Sequence, residues 1–154
     1  MRWTVGVFAL LVTAVLAAVA VGATASLTKA KYVRKLRAAN AASANADNAV
    51  GAALGSKTAT PTKVKALMVA MGREHVAVGR EFAALAPPAR AANANRDFAR
   101  AEMIFGRQNE AIAAKLPTAS RTAMLKYLQS LKPPSGGKLL DHAIAELHAA
   151  GYRA

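Results

Sequence analysis

Cysteine is absent from the chain, and aromatic and acidic residues are scarce. Without cysteine there is no disulfide scaffold, no thiolate zinc site, no cysteine nucleophile and no lipid-modified lipoprotein cysteine. Aromatics make up 5% of 154 residues while alanine occurs 40 times, which argues against a β-sandwich and for helices. Against 8 Asp+Glu stand 21 Lys+Arg, a formal charge of +13. The hydrophobic share of 54% is half alanine, so only 43 residues are large and apolar. Twelve of those lie in the first 25 positions, leaving 31 for the other 129 residues. The length suits one domain with a lean core.

Trp3 to Ala25 is a run of 23 residues without a charge. As a helix it would cover roughly the 30 Å of a bilayer's hydrocarbon. Arg2 precedes it and Ala23-Thr24-Ala25 ends it before Ser26, the A-x-A pattern of a signal-peptidase site. Residues 1–25 therefore read as a signal peptide or a membrane-anchoring helix, and 26–154 as a basic, alanine-rich helical body. The A-x-A pattern favours export, whereas the length favours retention. Five cations follow closely: Lys29, Lys31, Arg34, Lys35 and Arg37. If the helix is retained, they would draw the body to the cytoplasmic side.

Periodicity divides the body into helices. Over 27–54, Tyr32, Leu36, Ala39, Ala46, Val50, Ala53 and Leu54 share a face. Thr60-Pro61 starts a second helix, reaching 86, with threonine as cap and proline in the first turn. There Val64, Met68, Met71, His75, Val78, Phe82 and Leu85 form an a/d seam, with Gly72 and Gly79 beside it as marks of close helix contact. A third helix spans 89–116, with Ala94, Phe98, Ala101, Phe105, Gln108 and Ile112 inward and Arg96, Arg100 and Arg107 outward. Shorter helices follow over 119–131 and 138–150, parted by a break at Pro133–Gly137, and Gly151 fits a left-handed C-cap. No strand signal occurs. The fold class is all-α: the hydrophobic opening helix, then an up-down antiparallel bundle of four to five helices, the two short ones sharing the fourth place.

Chemistry-bearing patterns are sparse. His75, alone among titratable residues in the seam, reads as a buried histidine hydrogen-bonded across the bundle. The alternative is a haem or metal ligand with Met68 or Met71 as axial partner. His142 and His148, six residues apart, point about 120° from each other and cannot share an ion on one helix. No histidine has a Glu three residues before it, so a di-iron site fails on spacing. Glu74, Glu81, Glu102 and Glu110 read as surface salt-bridge carboxylates. Ser135-Gly136-Gly137-Lys138 lacks the first glycine and the Ser/Thr of a phosphate loop and reads as a turn. No serine lies in a nucleophile motif. No catalytic constellation, resident metal or cofactor is called for.

The arrangement resembles a loose group of small exported all-helical proteins and lipoproteins of high-GC bacteria, without known activity. The likeness rests on the hydrophobic leader, on Tyr32 and Asn40, on Leu85-Ala86-Pro87-Pro88, and on Ala145-Glu146-Leu147 with Gly151-Tyr152. The first-helix cysteine common in that group is missing here. The resemblance implies an exported bundle and carries no active site.

Taken together, the sequence points to a non-enzymatic, extracytoplasmic bundle, secreted or anchored by residues 3–25. Its expected partners are the membrane or anionic envelope polymers met by the cluster Lys29–Arg37, with a protein partner or a second copy besides. Aromatics do not accompany the basic stretches, which argues against nucleic acid.

Overall fold

The computed structural model describes residues 25–153, so all but the last residue of the opening hydrophobic run lies outside it. Among the described residues there is no strand. Five helices follow one another: α1 (Lys29–Gly55), α2 (Pro61–Ala83), α3 (Ala92–Lys115), α4 (Arg121–Ser130) and α5 (Ser135–Ala149). None of them is long and apolar enough to cross a membrane.

Local signals set most helix starts. Thr28, Thr60 and Ser120 each accept a hydrogen bond from the backbone N–H three residues on, at 3.3, 3.2 and 3.1 Å. Each satisfies one of the donors that a helix start leaves unpaired. α5 is capped from outside. The Gln108 amide accepts from Gly136 N–H at 2.9 Å and donates to Ser135 Oγ at 2.8 Å. That bond, and the seating of Gly136 against the Phe105 backbone, start the helix at Ser135. The expected break over Pro133–Gly137 is thus shorter than the glycines suggested. At the other end Gly151 takes φ 85° and Tyr152 N–H returns to Leu147 O at 2.8 Å, a Schellman-type stop. α2 ends at Ala83 rather than 86, and Ala89–Ala91 forms a 3-10 turn before α3.

The three long helices run antiparallel to their neighbours. Tyr32 at the start of α1 meets Phe82 at the end of α2, while Val50 and Val64 share the opposite end. α2 and α3 make the broadest contact, through glycine. A Cβ on Gly72 would stand 2.7 Å from Gly106 O, and one on Gly79 2.7 Å from Ala99 O. The two backbones touch where side chains would otherwise hold them apart. α5 lies along α3, and α4 closes the far end with Met124 fully buried. Arg121 of α4 donates to Leu54 O and Ala59 O, stitching that end to α1. α4 and α5 thus each cover a different end of the three-helix core.

That core has two apolar parts. Near the start of α1, Tyr32, Leu36, Phe82, Phe98, Ala143, Leu147 and Tyr152 pack together, with edge-to-face rings at 5.0–6.1 Å. Near its end, Val50, Val64, Met68, Met71, Leu116 and Met124 form the second part. Between them lies a polar layer.

Candidate functional site: a buried polar layer and a basic end

His75 on α2 is 1% exposed and bonded on both sides. Its Nδ1 lies 2.5 Å from Glu102 of α3 and its Nε2 3.1 Å from Asp47 of α1. One imidazole thus ties all three long helices together. The Phe105 ring stands edge-on at 4.7 Å. Burial by itself lowers the imidazole's pKa. Hydrogen bonds to Asp47 and Glu102, together with their charges, outweigh it and raise the value to about 9. With its pKa raised that far, the imidazole holds a proton on each ring nitrogen at neutral pH and donates to both Asp47 and Glu102. Met68 and Met71 belong to the second apolar part.

Glu102 corrects the sequence reading: it is 2% exposed and bonded to His75, not a surface carboxylate. Nothing in the local sequence marks Asp47. A signal for Glu102 existed, because Asn95, Glu102 and Asn109 repeat every seven residues among the apolar positions of α3, and all three are buried. Asn95 accepts from the Tyr32 hydroxyl at 2.9 Å and donates to Phe82 O at 2.9 Å, closing a second polar link between the helices. Burial, and then the nearby Tyr152, push the Tyr32 phenol above the ordinary tyrosine range. Asp47 continues the stripe of Ala39 and Ser43 on α1, a position legible only once its partner is known.

The basic cluster sits at the start of α1. Lys29, Lys31, Arg34 and Arg37 are exposed, and Lys35 is half-buried with Nζ 2.6 Å from Glu81. Lys29 Nζ also stands 5.6 Å from the centre of the Tyr152 ring. Lys31, Arg34 and Lys35 rim an open groove of about 500 Å³ between α1 and α2, floored by Ala38, Ala39 and Ala42. The chain enters at this same end, where Leu27 N–H donates to Ala86 O and Ser26 Oγ to Pro87 O. No acid occupies the first turn of α1, where Lys29 and Lys31 stand at the positive end of its helix dipole.

The remaining candidates disperse. His142 is exposed and 3.5 Å from Glu146 one turn on. His148 lies in the last turn of α5. Ser135-Gly136-Gly137-Lys138 forms the first turn of α5, its Gly136 N–H held by Gln108. Among the described residues no group of three or more His, Asp or Glu side chains is disposed to hold a metal ion. Compared with protein-family models, with curated proteins and with solved structures, the chain matches none.

Proposed function

We propose that this protein is a non-enzymatic helical bundle of the cell envelope, delivered by residues 3–25 and held against anionic components there by the basic end of α1. The observation that carries the reading is adjacency along the chain. The uncharged opening run leads into the body at the end where Lys29, Lys31, Arg34 and Arg37 stand exposed. Near an anionic bilayer each such cation contributes about 1 kcal/mol, and a few together hold a body to the surface. An anionic partner would also offset the repulsion that Lys29 and Lys31, in the first turn, feel from the α1 dipole, about 0.3–1 kcal/mol each. The Asp47–His75–Glu102 layer serves in this reading as a structural tie.

Fractionation of cells followed by salt and detergent washes tests it. The full-length chain should sediment with membranes and leave only with detergent. A leader-cleaved chain should leave with high salt, and changing Lys29, Lys31, Arg34 and Arg37 to glutamine should release it at low salt. Recovery of the full-length chain in the soluble fraction at low salt would overturn the reading.

A further inference from the structure

Away from the α1 cluster, five arginines line the outer groove between α2 and α3. Arg73, Arg80 and Arg107, with one carboxylate, Glu110, surround a depression of about 240 Å³ over Val76 and Ala77. Arg96 and Arg100 border the adjoining one, of about 390 Å³, over Ala83 and Ala99. All five are exposed. Sequence spacing sets the rails: Arg96, Arg100 and Arg107 fall within about 40° of one another over about 16 Å of α3, and Arg73 and Arg80 within about 20° over about 10 Å of α2. The glycine contacts then bring the rails together. Gly72 abuts the Gly106–Glu110 stretch and Gly79 the Ala99–Met103 stretch. Arg73 therefore stands level with Arg107, and Arg80 level with Arg100. The neighbouring acids hold these arginines loosely. Glu110 is 3.8 Å from Arg73 and Asp97 3.9 Å from Arg96, and both arginine side chains stay about three-quarters exposed (76% and 74%).

We infer that this ladder is a binding site for a linear phosphodiester polyanion that carries no bases. Rungs on two close rails suit successive phosphates along one strand. Guanidinium groups, with paired donors in a fixed fork, suit phosphate oxygens better than ammonium groups do. Neither depression is lined by an aromatic ring, so a stacking platform for nucleobases is missing there. The choice of ligand rests on the envelope reading above, but the residues are different ones and owe nothing to the leader.

The test uses the full-length protein in mild detergent and a short fluorescein-labelled poly(glycerol phosphate), followed by anisotropy across a salt series. Two triple variants carry the same charge change: Arg73, Arg80 and Arg107 to glutamine, and Lys29, Lys31 and Arg34 to glutamine. Matching circular-dichroism melts establish that both are folded. The ladder variant should bind about tenfold or more weakly, with a log–log salt slope shallower by about 2. The α1 variant should lose about twofold at most. Equal losses in the two variants would overturn the site, reducing it to general positive charge. Failure of the unaltered protein to bind would also overturn it, as would tighter binding of an oligothymidylate of equal length. Membrane retention, read by the salt washes above, is independent of all three outcomes.

Discussion

His75 holds its proton between two carboxylates of unequal exposure, and that inequality decides what each substitution does. Glu102 is buried, whereas the Asp47 side chain is 47% exposed. Glu102→Ala removes the buried partner and leaves a cavity beside a charged ring; a loss of about 3 kcal/mol in urea unfolding is expected. Asp47→Ala should cost under about 1 kcal/mol, because water already screens that pair. The layer also sets a pH dependence. The folded pKa of about 9 lies above the ordinary 6.5, so the stabilisation is complete below pH 6.5 and is lost as pH rises through 9. The loss is at most about 3–4 kcal/mol, and urea midpoints at intervals from neutral to alkaline pH would trace it. His75→Gln should flatten that alkaline limb. A limb of the same size in the variant would place its origin in another group.

Between elements, the α2–α3 contact is decided by atoms that are missing. Gly72, Gly79 and Gly106 lack the Cβ that would strike a facing carbonyl, so the backbones approach closely, with Glu110, Met103 and Val76 packed over the glycines. Gly79→Ala should force the pair apart and cost about 1–3 kcal/mol. Gly51, with nothing within 4 Å of its built Cβ, is the control. Alanine there should add up to about 1 kcal/mol through helix propensity alone. Thermal melts of both variants give the comparison, and equal shifts would deny the close contact a role. Gly151 has a third reason to be glycine, its positive φ.

Across the whole molecule, +13 of formal charge rests on a body whose large apolar residues are few. None of the five helices carries an acid in its first turn, so no acidic side chain offsets the positive ends of their dipoles; only the last turns of α2 and α3, with Arg80 and Lys115, carry a compensating lysine or arginine. Self-repulsion of this kind is screened once the Debye length falls below the spacing of the charges. The melting temperature should therefore rise by several degrees between low and molar salt, on the order of 1 kcal/mol. A chain held together mainly by surface ion pairs would respond in the opposite direction.

Pattern alone determined the helical class, the α2 seam, the Thr60-Pro61 start, the Gly151 stop and the closeness marked by Gly72 and Gly79. These follow from local stereochemistry and helical repeat, which act within a few residues. Tertiary structure decided the partners. Glu102 and Asp47 meet His75 from residues 27 and 28 positions away, and Gln108 caps a helix that starts 27 residues later. The division of labour between α4 and α5 was settled at the same range. A carboxylate at a heptad position looks the same in sequence whether its helix turns it toward water or toward a histidine. The difference is made by which face the neighbouring helices cover, and glycine-to-backbone contact between α2 and α3 fixes that face.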